Sequence, residues 1–229
     1  MWPVPNRPAS IPQAFLDACA RTPDKVCLRF EGRRYSYGQF LALATRWTAA
    51  LRGWGLQPGD RVGLFLENSP TFLAAYLGTH LAGGTIVPVN TQYRQVELRH
   101  ILADAGMRLC VTDAPRLVEL QRVQPGLPAL ELVVMAAEAS EGVIRPPSFR
   151  LASADSFLAD VGADQGDCTP TAPSPDAVAL IAYTSGTTGR SKGAMLTHGN
   201  LAANSAAVTT AWRWTADDEL LLTLPLFHV

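Results

Sequence analysis

Lysine is nearly missing from this chain. Lys25 and Lys192 are the only two among 19 basic residues, the rest being arginine, and 20 acidic residues bring the net charge to −1. No polybasic run occurs, which argues against binding to a nucleic-acid backbone. Cysteine is also scarce: Cys19, Cys27, Cys110 and Cys168 lie far apart without a CxxC pair. That pattern excludes a disulfide-stapled secreted domain and reads as reduced, mostly buried thiols of a cytosolic protein. His80, His100, His198 and His228 stand singly, so no zinc spacing exists. No apolar run is long enough for a membrane span. Residues 1–7 lack the charged start and apolar core of a signal peptide. GxGxxG, GxSxG and HExxH are all absent, which disfavours dinucleotide-binding, serine-hydrolase and zinc-protease readings.

What remains is a core-forming chain. It has 229 residues, of which 48% are hydrophobic and 17% charged, enough for one large domain or two small ones. Ser10 is placed to cap a first helix, and residues 26–35 carry a hairpin signal around Glu31-Gly32. Ser36 and Gln39 form a capping-box pattern for a helix with Phe40, Leu41, Ala44, Trp47 and Leu51 on one face. Short apolar strands then alternate with helices: 61–66, 85–89, 109–112 and 132–135 read as strands, and 70–82, 96–105 and a short segment after Asp113 as helices. Such alternation predicts an α/β fold with mostly parallel sheets flanked by helices. Residues 1–135 are therefore assigned to a first α/β subdomain. Residues 136–176, rich in Pro, Asp, Ser and Ala, are read as a connection with one helical turn near Phe157. Residues 177–229 are read as the start of a second subdomain, with strands at 177–183, 193–196 and 219–224 and a helix capped by Thr197. The sequence stops directly after a buried-looking strand, so the fold is expected to be incomplete on that side.

The richest chemistry lies in Tyr183-Thr184-Ser185-Gly186-Thr187-Thr188-Gly189-Arg190-Ser191-Lys192-Gly193. Hydroxyls on Thr184, Ser185, Thr187 and Thr188 offer donors to an anion. Gly186 and Gly189 let the backbone turn so that N–H groups converge, and Lys192 adds a compact cation. A polyphosphate needs this combination. A plain solvated turn is the ordinary alternative, but a buried strand delivers the loop, and the loop is longer than a hairpin requires. It is not a Walker A loop, because Ser191 stands where that motif has glycine and Gly193 where it has Ser or Thr.

The string from Tyr183 to Asn200 closely resembles the signature of the AMP-forming adenylating enzymes: acyl- and aryl-CoA synthetases, adenylation domains of peptide synthetases, and luciferases. The segments 35–37, 55–62, 67–70 and 81–90 resemble that family's early blocks in their usual order, so the likeness runs over nearly the whole chain. Ser191 departs from the pattern, where members usually carry a proline that would stiffen the loop. The resemblance implies the first part of the large N-terminal domain of an adenylate-forming enzyme, which joins a carboxylate to the α-phosphate of ATP and passes the acyl group to CoA. It implies that Thr184, Ser185, Gly186, Thr187, Thr188, Gly189 and Lys192 hold the triphosphate and that Thr184 helps place Mg²⁺. His228, in Pro225-Leu226-Phe227-His228-Val229, would then lie beside the carboxylate as the catalytic residue. Members are more than twice this long, and the later adenine, ribose and thiolation blocks have no counterpart here. A complementing chain or self-association is expected to supply cover. Two further readings remain open: a truncated, non-catalytic nucleotide-binding relic, and a fragment of a modular synthetase adenylation domain. His198 and Asn200 are read as capping residues, Phe40, Trp47 and Phe72 as core, Lys25 as a solvated charge, and Trp212 and Trp214 as packing at a helix end.

Overall fold

The computed structural model describes residues 8–123, 127, 129–136, 149–159, 170–184 and 190–228. The chain begins with α1 (Ile11–Arg21), capped by the Ser10 hydroxyl, which accepts from the Gln13 amide at 3.1 Å. The expected hairpin follows as β1 (Val26–Phe30) and β2 (Arg33–Ser36), paired antiparallel. Ser36 and Gln39 then form both bonds of a capping box at the start of α2 (Tyr37–Trp54), and Gly55, in the left-handed region at φ 98°, ends it.

Alternation then sets in: β3 (Arg61–Phe65), α3 (Pro70–Leu81), β4 (Thr85–Pro88), α4 (Gln95–Ala105), β5 (Leu109–Thr112), α5 (Ala114–Val123) and β6 (Leu132–Met135). After these come β7 (Arg150–Ser153), α6 (Ala154–Ala159), β8 (Val178–Thr184), β9 (Lys192–Thr197) and α7 (His198–Ala211). Strands β3 to β9 form one sheet in the order β7-β6-β5-β3-β4-β8-β9. Every neighbouring pair is parallel except β8 and β9.

Period-two side-chain alternation buries both sheet faces. Val62, Leu64, Ile86, Leu109, Val111, Leu132 and Val134 join one core with Trp47 and Leu51 of α2 and Leu81 of α3. Phe65, Val87, Cys110, Val133 and Met135 face the other way onto Leu98, Ile101 and Leu102 of α4 and Leu117 and Leu120 of α5. Helices α2 and α3 approach so closely that a Cβ at Gly78 would overlap Trp47 Cβ and lie 3.0 Å from the Ala44 carbonyl oxygen. The core roles expected for Phe40, Trp47 and Phe72 hold, each being at most 3% exposed. Cys19, Cys27 and Cys110 are free thiols, Cys27 only half-buried, while Cys168 lies outside the described residues.

Two expectations need correction. The segment 136–176 is more than a connection with one helical turn. Its described part supplies β7, which extends the sheet in parallel beside β6, and α6, whose Phe157 packs on Trp47 at 5.7 Å between ring centroids. A strand of four residues with one large apolar side chain carries too little pattern to stand out in sequence. Conversely, residues 219–224 form no strand. Leu220, Leu221, Leu222 and Leu224 are 46% to 85% exposed, since no described strand lies beside them to share a hydrogen-bond ladder. Side chains hold this segment instead. Lys25 Nζ donates to the Ala216 carbonyl, so it is not merely solvated, and Arg29 pairs with Glu219 at 3.0 Å. No helix among the described residues is long and apolar enough to cross a membrane.

Candidate phosphate-binding site

The glycine loop leaves the sheet at the carboxyl end of β8 and returns as β9. Thr184 and Lys192 are cross-strand partners in that antiparallel pair, so the first and last of the expected phosphate ligands stand side by side at the base of the loop. Both side chains are exposed to solvent. Ser185, Gly186, Thr187, Thr188 and Gly189 lie outside the described residues.

The loop's base rests on α4. Its residues His100 and Asp104, four apart and hence on one face, each reach one side of the loop. The Tyr183 hydroxyl, from β8, donates to Asp104 Oδ2 at 2.6 Å. Burial first, and then this bond, push the Tyr183 phenol above its ordinary range, so it remains a donor. His100 Nε2 lies 2.8 Å from the Ser191 carbonyl oxygen. A carbonyl only accepts, so Nε2 carries the proton. The His100 and Tyr183 rings meet edge to face at 6.2 Å. Gly193, next after Lys192, is needed here because a Cβ would lie 2.7 Å from Ile181 Cγ2 and 3.1 Å from Tyr183 Cζ.

Helix α7 follows at once. Thr197 and Asn200 form its capping box, as read from the sequence, whereas His198, also read as a capping residue, packs inward because its ring fits against α3. His198 meets His80 of α3 at 4.7 Å, and Tyr76 closes on His80 from the other side at 4.4 Å. Both nitrogens of His80 and Nδ1 of His198 are buried without a hydrogen-bond partner. Burial, with His198 adding to it, pushes His80 down to about 3, and burial pushes His198 down to about 4.

His228 is exposed, in a turn where its amide donates to the Pro225 carbonyl at 3.1 Å. Its segment is held by Asn68, just past β3: the Asn68 amide donates to the Leu224 carbonyl at 2.9 Å and accepts from the Leu226 amide at 2.7 Å. Asn68 and Thr184 thus both follow carboxyl ends of parallel strands, with β4 between β3 and β8, so the two parts of the site start about 10 Å apart along one sheet edge. Among the described residues no hydrogen bond or ion pair joins His228 to Thr184 or Lys192. At the switch point between β3 and β5, where open sheets often bind ligands, Arg116 is instead tied to Glu67 and, at 2.9 Å, to Asp113. Trp212 and Trp214 pack on each other at 6.1 Å beyond α7, in keeping with a helix-end role.

No described group of His, Cys, Asp and Glu clusters tightly enough to hold a metal ion by itself. Thr184 offers one neutral oxygen. That fits Mg²⁺, which keeps waters and binds largely through substrate phosphates. Sequence reasoning missed His100, Asp104 and Asn68. The only signal for the first two was a polar pair at helical spacing on a helix otherwise read for its apolar face.

A doubly wound sheet that presents a glycine- and hydroxyl-rich loop closed by one lysine defines an α/β protein of the adenylate-forming kind. The chain belongs to the AMP-binding enzyme family, whose pattern it matches over residues 15–229. It is 33% identical over 207 residues to a feruloyl-CoA synthase of Amycolatopsis sp, a match covering 90% of this chain and 37% of that protein. Its structure is similar to that of ATP-bound MatB from Rhodopseudomonas palustris, with a TM-score of 0.76 and 33% identity over 96% of this chain and 41% of the other. It is also similar to the N-terminal domain of FACL13 from Mycobacterium tuberculosis, with a TM-score of 0.71 and 26% identity over 96% of this chain and 52% of that one. The chain therefore has the fold of the N-terminal domain of adenylate-forming ligases and spans about half of it. It spans about two fifths of the length of the curated relatives it matches.

Proposed function

We propose that this chain supplies the triphosphate-binding part of an AMP-forming acid–CoA ligase. The pairing of Thr184 with Lys192 at the base of the glycine loop is the observation that carries this reading. In such a reaction a carboxylate oxygen attacks the α-phosphorus of ATP and the bond to the bridging oxygen of pyrophosphate breaks, giving an acyl-adenylate. The thiolate of CoA then attacks the acyl carbon and AMP leaves. The loop hydroxyls and N–H groups and the Lys192 ammonium neutralise the β- and γ-phosphates as pyrophosphate departs. Thr184 would offer one oxygen to Mg²⁺, which would supply positive charge against the developing charge of the leaving pyrophosphate. His228 orients the carboxylate. Residues 1–135 act as scaffold and 177–229 as the ligand-bearing part. The substrate class is a fatty or other small carboxylic acid.

The test is titration of MgATP and of inorganic tripolyphosphate into the purified chain. Binding of both is expected, with Lys192→Ala weakening both about tenfold or more and leaving thermal unfolding unchanged. Binding that is indifferent to Lys192→Ala would overturn the reading. No acyl-CoA product is expected from these 229 residues alone with ATP, CoA and a carboxylate panel, because the adenine, ribose and thiolation blocks of the family have no counterpart in them.

A further inference from the structure

The contacts of α4 with the loop reach beyond what fold stability requires. Two interactions converge on the two residues that flank Lys192, and a third anchors one of them. His100 Nε2 donates to the Ser191 carbonyl at 2.8 Å, on the N-terminal side of Lys192. The Tyr183 ring lies over the Cα of Gly193 on the C-terminal side, where a Cβ would come within 3.1 Å of it. The ring is anchored in turn by its hydroxyl on Asp104 at 2.6 Å. The backbone of Lys192, in the β8–β9 ladder, is thus held on one side by α4 directly and on the other by a β8 ring that α4 anchors, while its side chain stays exposed and has no ion-pair partner among the described residues. A four-carbon stem on a mobile backbone spreads its ammonium over a wide volume; fixing the Cα removes much of that freedom before the ligand arrives. Ser191 makes the brace more consequential. Proline at that position would restrict the backbone covalently, and serine does not.

We propose that His100 and Asp104 of α4, acting through the Ser191 carbonyl and the Tyr183 ring, are positioning residues that aim Lys192 at the polyphosphate. The inference rests on the phosphate-binding reading of the loop. Neither His100 nor Asp104 is offered as a ligand of the polyphosphate: they set where the lysine starts. Loss of the His100 bond frees the carbonyl side, and loss of the Tyr183 hydroxyl bond frees the ring to slide off Gly193.

The test is titration of inorganic tripolyphosphate into wild type, His100→Leu, His100→Gln and Tyr183→Phe, each also in a Lys192→Ala background, with thermal unfolding followed alongside. His100→Leu and Tyr183→Phe are expected to weaken binding about three- to tenfold. His100→Gln, which keeps a donor for the carbonyl, is expected to recover most of the loss. In the Lys192→Ala background none of the substitutions should weaken binding further, an outcome that a general loss of structure would not give. Wild-type affinity in both His100→Leu and Tyr183→Phe, or an equal loss with and without Lys192, overturns the brace. A wild-type chain that binds no tripolyphosphate overturns the phosphate reading itself, a separate result from the one that removes the brace.

Discussion

At the scale of single residues the molecule's strongest commitments are two buried imidazoles and one glycine. His80 and His198 face each other at 4.7 Å with three of their four nitrogens unpartnered. Burial disfavours a proton on either ring, and a charge on His198 would oppose one on His80. Their folded pKa values, about 3 and about 4, lie below the ordinary 6.5 of the unfolded chain. The unfolded state therefore binds more protons than the folded one between those values. Stability is full above about pH 6.5 and falls as the pH drops toward 4. Between pH 7 and pH 5 each ring is expected to cost about 2 kcal/mol. Urea midpoints at the two pH values check this, and His80→Leu should reduce the difference by roughly half; an unchanged difference would place the pH dependence elsewhere. Gly78 is the matching steric commitment. Gly78→Ala puts a methyl group into Trp47 Cβ and close to the Ala44 carbonyl, both on α2. A loss of about 2 kcal/mol or more is expected in the same denaturation experiment, against the gain that glycine-to-alanine gives in an open helix.

At the scale of elements, side-chain hydrogen bonds decide where the chain stops being regular. Asn68 binds both the Leu224 carbonyl and the Leu226 amide, doing for that segment what a neighbouring strand would do. Asn68→Ala should raise the exchange rate of the Leu226 amide by about tenfold or more while the amides of β3 stay protected. Equal exchange in both proteins would mean that other contacts hold the segment.

The same scale shows what could be read in advance. Ser10, the Ser36–Gln39 box and Thr197 cap helices where the sequence places them, because a cap is a contact across three residues. Strands β3 to β6 were legible because burial on both faces writes them as continuous apolar runs. The leucines at 220–224 write the same kind of run yet form no strand, since pairing needs a partner that local sequence does not contain. The glycine loop was legible as a phosphate-type sequence from its own residues. Its support was not: Tyr183 and Asp104 are 79 positions apart, and His100 and Ser191 are 91 apart.

At the scale of the whole molecule, the two ends of the sheet differ in how far their faces are covered among the described residues. The β7 side carries α6 against α2, and both faces from β7 to β4 are covered. On the other side β9 is, like β7, paired on one edge only among the described residues, and Met195 on it is 69% exposed; in the segment after α7, Leu221 is 85% exposed. An unpaired strand edge and a run of exposed leucines are each templates for association. The polar contacts make the leucine segment a defined surface, since Lys25 and Asn68 bind its backbone at Ala216, Leu224 and Leu226 and Arg29 pairs with the Glu219 carboxylate. The 229-residue chain is therefore expected to self-associate or to pair with a complementing polypeptide. Sedimentation across a hundredfold concentration range should show mass rising with concentration, and a hydrophobic dye should bind strongly at the lowest concentration. Replacing Leu221 and Met195 together by serine should lower both signals while leaving the unfolding midpoint within about 0.5 kcal/mol of the parent, as surface substitutions do. A monodisperse monomer at all concentrations would show that this edge is not adhesive, and the cover inferred for it would be unnecessary. Association that survives the double substitution would move the contact to another surface and leave the leucine segment as a passive strap over the hairpin.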